Sequence, residues 1–388
     1  MDIAKRCLEL EPQLIEWRRQ LHEHPELSLK EEWTSNWIAE HLKALHIPVH
    51  TLPGTYSLIG VISGKKPGKR LALRADFDAL PITEQTDKPY CSKIPGVMHA
   101  CGHDAHVSML MGAATLLKEM EDDLCGTIYL CFQAAEELSY GVEPIVDWLE
   151  EQGGVDRVLG IHIWSTIKAG TIVLPETHAM AGTQVFRVTF TGMGGHGSRP
   201  DLIHEPIKAA CDLVLKLSSI PSNFYDMQDN SVIHVGKIQA GTLANIFPNT
   251  AVIEGGCRYF KPAGHDAIMG HVKRMAQGVA QVYDVSAEVE EMTGTIPVIN
   301  DPAVCADVRR VADSMEGLTV DRDMEALCAS DNVAYMLDKY PGVYGFLGAQ
   351  NLELGINWPQ HHCQYDVDES VLKKGCEFFL RNAEDFLR

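Results

Sequence analysis

Hydrophobic and polar residues recur along the first part of the chain with two different periods. Apolar side chains return every three or four residues from Ile3 to Leu21 and from Thr34 to Leu45, which predicts two amphipathic helices. Short apolar runs bounded by glycine, proline or charge predict strands at SLIGVIS, RLALRAD, GTIYLCF and RVLGIHI. Helical spacing returns between these runs, at 106–120 and 142–151. Strands that alternate with helices predict an α/β fold in which helices cover the sheet.

The pattern changes near Gly182, where TQVFRVTFTG alternates apolar and polar residues as a half-exposed strand does. A helical stretch, two alternating runs, a second helical stretch and the run VSAEVEEM follow. This β-α-β-β-α-β order is typical of an antiparallel sheet with helices on one face. A mixed pattern resumes near Pro297. We therefore predict one α/β domain at 1–181 and 292–388, interrupted by an inserted α+β domain at 182–291.

Charge and cysteine usage narrow the candidate partners and the compartment. The 388 residues include 33 basic and 53 acidic side chains, which gives a net charge of −20. Such a surface repels phosphate backbones and anionic lipid, so we expect neither a nucleic acid nor a membrane partner. The N-terminal segment lacks the pattern of a secretory signal, and the 11 cysteines form no CxxC pair. We expect a cytoplasmic protein with reduced thiols.

The densest cluster of chemically active side chains is MHACGHDAH at 98–106. Cys101 and His103 are two residues apart, so their side chains would lie on the same side of an extended segment. A thiolate and an imidazole placed in this way can bind a borderline-soft divalent cation. His99 and His106 fit an orienting role better than a ligand role. The alternative is a redox thiol beside histidines that cap the following helix.

Two pairs of carboxylates follow predicted strands. Asp76 and Asp78 close the run RLALR, where an aspartate could orient a metal-binding histidine at the carboxyl edge of the sheet. Glu136 and Glu137 follow GTIYLCF, and adjacent strand side chains point to opposite faces. Both glutamates therefore reach one site only if the chain leaves the strand there. Taken alone, each pair also fits a solvated turn or the polar start of a helix.

Histidines complete the candidate set. His162 lies in the apolar strand LGIHI, and His361 and His362 lie in WPQHHC before the last helix. Each of these signals is weak alone, because a lone strand histidine is usually a core residue. Together with the earlier clusters they suffice for two cations, which at about 3.5–4 Å apart can activate a water and polarise a carbonyl. The five potential ligands are Cys101, His103, Glu137, His162 and His361.

Six motifs occur in a fixed order: RRQLHEHPEL, RADFDALP, MHACGHDAH, FQAAEE, GIHIW and GGHGSRP. In these motifs the chain resembles the M20 metallopeptidase family, in its branch of aminoacylases, N-acetyldiaminopimelate deacetylases and auxin-conjugate hydrolases. The resemblance extends from about Leu14 to Glu369. It implies a zinc-peptidase-like catalytic domain with a mixed sheet, and an inserted lid domain. It also implies a homodimer or a higher homo-oligomer assembled through the lid.

The resemblance also implies a role for each candidate residue. Cys101 corresponds to the ligand that bridges two divalent metal ions. Glu136 corresponds to the general base and Asp78 to the carboxylate that orients a ligand. The remaining ligands correspond to His103, Glu137, His162 and His361.

Three further positions resemble lid residues that contact substrate. His196 in GMGGHGSRP corresponds to a histidine that assists the substrate carbonyl. Asn245 and Arg258 correspond to substrate-binding positions, and Arg258 could pair the free carboxylate of an amino acid. From the residues alone, Arg258 fits a strand-surface arginine equally well.

The function that these expectations describe is hydrolysis of the amide bond of an N-acyl amino acid, most simply an N-acetyl amino acid. The two metal ions per subunit would be zinc, with manganese, nickel or cobalt also compatible with a mixed donor set. A dipeptidase or carboxypeptidase of the same fold is an alternative. A non-catalytic metal- or ligand-binding protein and a thiol-redox enzyme that uses Cys101 are two others.

The chain departs from the family pattern in three places. LSYGVEP follows Glu137 where the family has GGxGA, which changes the expected pocket there. Cys363 replaces the proline of an HxP motif, so His362 competes with the better-aligned His361. The sequence SDN at 330–332 replaces EDF. These differences concern the substrate side more than the ligand set.

Overall fold

The computed structural model describes residues 1–225 and 229–388, and the chain folds into two units. The first unit contains Met1–Ala179, Val298–Ala326 and Asp331–Arg388. The second contains Met180–Pro297 and Leu327–Ser330. Helices and strands are numbered in chain order across both units.

The first unit holds most of the secondary structure. Its helices are α1 (Ile3–Glu23), α2 (Glu32–Ala44), α3 (His103–Glu119), α4 (Glu143–Glu151), α8 (Pro302–Asp313), α9 (Ala334–Lys339) and α10 (Leu372–Leu387). Its strands are β1 (Val49–Thr51), β2 (Leu58–Ser63), β3 (Lys66–Asp76), β4 (Cys125–Gln133), β5 (Arg157–Lys168), β6 (Thr171–Val173), β7 (His178–Met180), β14 (Val298–Ile299), β15 (Thr319–Asp321) and β16 (Gly342–Gln350).

The second unit is smaller. Its helices are α5 (Pro206–Leu217), α6 (Ile220–Asn223) and α7 (Gly264–Val282). Its strands are β8 (Gly182–Thr191), β9 (Gly195–His196), β10 (Ser231–Ala240), β11 (Ile246–Phe247), β12 (Thr250–Tyr259) and β13 (Ser286–Thr295).

An eight-stranded mixed sheet organises the first unit, in the order β1-β2-β4-β3-β5-β16-β6-β15. Strands β4, β3, β5 and β16 are neighbours and run parallel, so their carboxyl ends meet at one edge. The last six residues of β3 are all buried, as expected for an inner strand of a covered parallel sheet. The predicted α/β fold with a mixed sheet is confirmed.

Helices α1, α3 and α10 pack on one another, and α3 and α10 also pack on β3. Helix α3 is the most enclosed of the three, because nearly every residue from His103 to Leu117 is buried. It begins at the edge where the parallel strands end and so connects the core to that edge. The buried core that it shares includes Leu14, Leu73, Ile161 and Phe379.

The second unit is an antiparallel sheet in the order β10-β12-β8-β13, packed against α5 and α7. Strand β8 alternates buried and half-buried residues, so one face carries the core and the other remains partly exposed. The predicted antiparallel arrangement with helices on one face is confirmed. Its core includes Phe186, Val188, Leu213, Ile253 and Val272.

No helix in the described part of the chain is long and apolar enough to cross a bilayer.

Candidate metal centre

Strands β3 and β4 end side by side and place their following residues together. Asp76 lies opposite Gln133 in the parallel register, and the Phe77 N–H donates to the Gln133 carbonyl at 3.0 Å. Just beyond, the Glu137 N–H donates to Oδ2 of Asp78 at 3.0 Å. The two carboxylate pairs that the sequence singled out are therefore neighbours at one edge of the sheet.

The chain leaves β4 abruptly before the two glutamates. Ala135 adopts a left-handed conformation with φ 57°, and Glu136–Leu138 then form one 3-10 turn. The turn removes the strict alternation of a strand, so adjacent side chains can point the same way. Carboxylate oxygens of Glu136 and Glu137 both lie within 4.8 Å of a ring nitrogen of His103. Both glutamates can therefore reach one site, because the chain leaves the strand before them.

Cys101 and His103 also come together, but not through an extended segment. That expectation was wrong, because Gly102 is left-handed with φ 95° and caps the start of α3. A side chain at Gly102 would place its Cβ 2.4 Å from both Ile163 Cγ2 and Tyr365 Oη, so only glycine fits. The tight turn brings the Cys101 thiol next to the imidazole of His103.

The imidazoles of His103 and His162 each present one free nitrogen to the thiol. The His103 Nδ1–H donates to the carbonyl oxygen and Oδ1 of Asp78, at 3.0 and 3.1 Å, which leaves Nε2 buried without a hydrogen-bond partner. The His162 Nδ1–H donates to the Ile163 carbonyl at 2.7 Å, and its Nε2 lies 3.4 Å from Cys101 Sγ. Hydrogen bonds of this kind orient metal-binding histidines.

Protonation of these two histidines differs. Burial lowers the pKa of His162 well below its usual range, and the nearby His106 ring lowers it further, so His162 is the neutral form that binds metals. Burial alone would also lower the pKa of His103, but the Asp76 carboxylate raises it well above its usual range. The negative charge of the Asp76 carboxylate can therefore be balanced either by a proton on His103 or by a divalent cation.

His361 approaches the cluster from the C-terminal segment. Its Nε2 lies 3.3 Å from Glu137 Oε1, which has no hydrogen-bond partner, and the two side chains form a compact group with Cys101. The competing His362 stacks on Trp358, with ring centroids 4.2 Å apart and planes 4° apart. Its Nδ1 also accepts the Gln364 N–H at 3.1 Å. The geometry therefore favours His361 as the donor.

His106 and His99 are not part of the group of donor atoms around the Cys101 thiol. The His106 Nδ1–H donates to Asp76 Oδ1 at 2.5 Å, and its Nε2 accepts the Ile163 N–H at 2.8 Å, so both nitrogens are used. His106 therefore links β3 to β5, which fits the expected orienting role. His99 is buried, and neither ring nitrogen has a hydrogen-bond partner. Burial lowers its pKa to about 4.

Arg74 is not one of the candidate site residues named from the sequence, yet it lies fully buried beside Asp76. Its guanidinium donates to both carboxylate oxygens of Asp331, at 3.1 and 2.9 Å, and lies 2.8 Å from Asp76 Oδ2. Its Nε donates to Gln133 at 2.9 Å. A charged residue inside the apolar run LALRAD was a detectable signal, because a buried charge requires partners. Arg74 holds the carboxylates below the site in place.

Glu136 lies among other carboxylates. Desolvation raises its pKa well above the usual range, and the charges of Asp331 and Glu137 raise it further. Its Oε1 accepts the main-chain N–H of Asn332 at 3.3 Å. Asn332 also donates to the carbonyl of Tyr140 at 3.0 Å. Two segments that depart from the family pattern, SDN and LSYGVEP, are thus bonded to each other beside Glu136.

The three residues expected to contact substrate lie in the second unit. His196 is exposed in β9, opposite Ile246 of β11, and the next residue donates to the Asn245 carbonyl at 2.9 Å. His196 and Asn245 are thus in adjacent loops. Arg258 is half-buried on β12 and donates to Ser330 Oγ at 3.3 Å. Their roles toward substrate stay predictions.

The donor set fits two divalent cations. Among the described residues, two groups of three side chains that share Cys101 bring their donor atoms within 4.8 Å of one another: Cys101 with His103 and His162, and Cys101 with Glu137 and His361. Burial, with Glu137 nearby, raises the pKa of the Cys101 thiol, whereas a coordinating cation deprotonates a thiol outright. The buried, unpartnered atoms His103 Nε2 and Glu137 Oε1 are those that such cations would satisfy. The five donors are Cys101, His103, Glu137, His162 and His361.

A cluster of this composition at the carboxyl edge of a mainly parallel sheet defines the class of protein as an α/β metallohydrolase. The family is also shown: Peptidase family M20/M25/M40 matches residues 72–385, and the chain belongs to this family. The resemblance inferred from the motifs is confirmed.

Individual relatives span almost the whole chain. Thermostable carboxypeptidase 2 of Saccharolobus solfataricus is 37% identical over 371 residues, which are 95% of this chain and 93% of that protein. N-acetyl-L-cysteine deacetylase of Bacillus subtilis is 35% identical over 378 residues, 97% of this chain and 89% of that protein. The crystal structure of the Bacillus subtilis YXEP protein, described as a dinuclear metal binding peptidase from the M20 family, has a TM-score of 0.83 at 31% identity. It covers 98% of this chain and 99% of its own.

The choice between the two adjacent histidines leads to a direct test. We expect His361→Ala to weaken binding of one divalent cation by about 10- to 100-fold or more, because a donor is removed. The matched variant His362→Ala loses the stacking on Trp358 and the hydrogen bond from the Gln364 N–H, and should bind both cations as the wild type does. Metal content after dialysis and titration with a chromophoric chelator measure the difference. Equal loss in both variants, or loss in His362→Ala alone, contradicts the assignment.

Proposed function

We propose that the protein is a metal-dependent amidohydrolase that cleaves the amide bond of an N-acyl amino acid, with N-acetyl amino acids as the expected substrates. The products are a carboxylic acid and a free amino acid. The observation that carries the proposal is Glu136, a carboxylate that belongs to the cluster without being needed as one of the five donors. Relatives named as N-acetyl-L-cysteine deacetylase and N-acyl-L-amino acid amidohydrolase, at 35% and 36% identity, support it.

The chemistry divides between the cations and the chain. When bound, the two cations supply Lewis acidity that polarises the amide carbonyl and acidifies a water. Glu136 accepts a proton from the attacking water and then delivers it to the leaving nitrogen. Burial and the neighbouring carboxylates raise its pKa, and a carboxylate with a raised pKa is a stronger proton acceptor than an ordinary glutamate. The Asn332 N–H restrains one carboxylate oxygen of Glu136 throughout.

A substrate panel tests the proposal. Apo-protein is prepared with a chelator, reloaded with Zn²⁺, Mn²⁺, Co²⁺ or Ni²⁺, and assayed with N-acetyl amino acids and with dipeptides. We expect kcat/KM to be at least about tenfold higher for the N-acetyl series, a difference of about 1.4 kcal/mol in transition-state binding. The chelated protein should be inactive. Activity that survives chelation favours the thiol-redox alternative, and a metal-loaded protein that hydrolyses nothing favours a non-catalytic binding protein.

A carboxypeptidase is the second candidate function. The carboxypeptidase of Saccharolobus solfataricus is 37% identical over 95% of this chain, which is as similar as the deacetylase. The donor set and Glu136 would serve peptide and acyl amide bonds alike, so the metal site does not separate the two. Faster hydrolysis of dipeptides than of N-acetyl amino acids in the panel would select this candidate.

The proposal also includes the identity of the metal, the role of the second unit, the compartment and the substrate contacts. Zinc is the proposed metal, because a thiolate and three imidazoles match its preferred donors. We also propose that the second unit acts as a lid and a dimerisation domain, and that the enzyme works in the cytoplasm. His196, Asn245 and Arg258 are the proposed substrate contacts of the second unit. Analytical ultracentrifugation and metal analysis of protein purified without added metal test the oligomer and the metal.

A further inference from the structure

A buried carboxyl group outside the donor set contacts the turn that carries both glutamates. Glu31 immediately precedes α2 and is completely buried. Its Oε1 accepts the main-chain N–H of Ala135 at 2.8 Å, across 104 residues of sequence. Its other oxygen, Oε2, has no hydrogen-bond partner among the described residues. Neither the donor set nor the proposed reaction uses this side chain.

The contact occurs where the backbone is strained. Ala135 has φ 57°, a left-handed conformation that is unfavourable for a residue other than glycine because its Cβ approaches the following carbonyl oxygen. Glu136 and Glu137 follow directly, so their direction depends on Ala135 keeping this conformation. Asp78 accepts the Glu137 N–H two residues further on. Two carboxyl groups from distant segments therefore hold the main chain on either side of Glu136.

We propose that Glu31 is a positioning residue, which holds Ala135 in its left-handed conformation and so aims the Glu136 and Glu137 carboxylates. This inference rests on the proposed function for its meaning in catalysis. It predicts that loss of the acceptor at residue 31 disturbs both metal binding, through Glu137, and turnover, through Glu136.

The acceptor matters here more than the charge. Burial raises the pKa of Glu31 to about 7, and the nearby Asp78 carboxylate contributes to the rise. Glutamine presents the same acceptor oxygen without a charge and has nearly the same size. Leucine fills a similar volume but leaves the Ala135 N–H buried without its acceptor, which is unfavourable.

Three variants separate positioning from general destabilisation. Glu31→Leu removes the acceptor, and Glu31→Gln keeps it. Ser35→Ala is the matched control, because buried Ser35 lies in the first turns of the same helix and donates to the Tyr56 carbonyl at 2.7 Å. The readouts are Zn²⁺ affinity of the apo-protein, by competition with a chelator, and kcat and KM of the reloaded enzyme with an N-acetyl amino acid.

We expect Glu31→Leu to lose about 10- to 100-fold in Zn²⁺ affinity and at least as much in kcat, with a smaller change in KM. Glu31→Gln and Ser35→Ala should stay within about threefold of the wild type in Zn²⁺ affinity, well below that range. Wild-type Zn²⁺ affinity in Glu31→Leu overturns the proposal, and so does an equal loss in Ser35→Ala. If Glu31→Leu does not fold, Glu31→Asp withdraws the acceptor by one methylene, and wild-type Zn²⁺ affinity in Glu31→Asp overturns the proposal.

The proposed function and the role of Glu31 can fail separately. A wild-type enzyme that hydrolyses no N-acyl amino acid refutes the proposed function, while the Zn²⁺ affinities of the variants still test Glu31.

Discussion

Replacement of Glu136 by glutamine should nearly abolish hydrolysis while both cations remain bound. Glutamine has almost the same shape and keeps an oxygen that can accept the Asn332 N–H. It cannot take a proton from water or return one to the leaving nitrogen. General acid–base catalysis contributes about 10²- to 10⁴-fold, so kcat should fall by at least that range. Steady-state kinetics and metal analysis of the same preparation measure the two quantities.

The control for this variant is Glu143→Gln, which neutralises an exposed glutamate at the start of α4. It changes the net charge by the same amount and should keep wild-type kcat. Turnover close to normal in Glu136→Gln, with both cations present, would remove Glu136 from the mechanism. Loss of a cation together with activity would instead assign Glu136 to the donor set.

Replacement of Arg18 by methionine should cause a large decrease in the free energy of unfolding. Arg18 is completely buried in α1, and its guanidinium contacts Asp104 at 2.8 Å, Asp366 at 3.1 Å and Glu369 at 3.2 Å. Methionine keeps the length of the side chain but leaves buried carboxylates without their counter-charge. Removal of one partner from a buried ion pair costs about 3–5 kcal/mol, and we expect a decrease of that size in the free energy of unfolding.

Arg19→Met is the matched control, because the adjacent Arg19 is 44% exposed and pairs with the same Glu369. An exposed ion pair contributes about 0–1 kcal/mol, so this variant should remain close to the wild type in urea or thermal unfolding. If the free energy of unfolding falls no further in Arg18→Met than in Arg19→Met, the buried network around Arg18 is not stabilising.

Acidity provides a second check on the Arg18 network. Burial alone would raise the pKa of Asp104, but Arg18 and His22 hold it well below its usual range. In the wild type this stabilisation is present above the ordinary aspartate pKa of about 4 and is lost as the pH falls further. Without Arg18 the buried Asp104 gains a proton more readily as the pH falls. The stability difference between the wild type and Arg18→Met should therefore narrow as the pH falls below the pKa that Asp104 has in the folded variant.

Local patterns determined the elements and the types of chemical group. Apolar spacing located α1 and α2, because a helix that buries one face repeats its apolar residues every three or four positions. The residues that the structure brings together, such as Cys101, His103 and Glu137, were also visible in short motifs. Metal chemistry requires a few specific side-chain types, so their joint occurrence was informative before any fold was known.

Tertiary structure decided how those groups are aimed. The left-handed turns at Gly102 and Ala135 are in contact with distant residues: Ile163 and Tyr365 leave no room for a side chain at Gly102, and Glu31 accepts the Ala135 N–H. The ion pair of Arg74 joins residues 257 positions apart. His362 stacks on Trp358, whereas His361 Nε2 lies 3.3 Å from Glu137 Oε1. Such contacts depend on the packing of segments that are far apart in the chain, and no local period or motif encodes that packing.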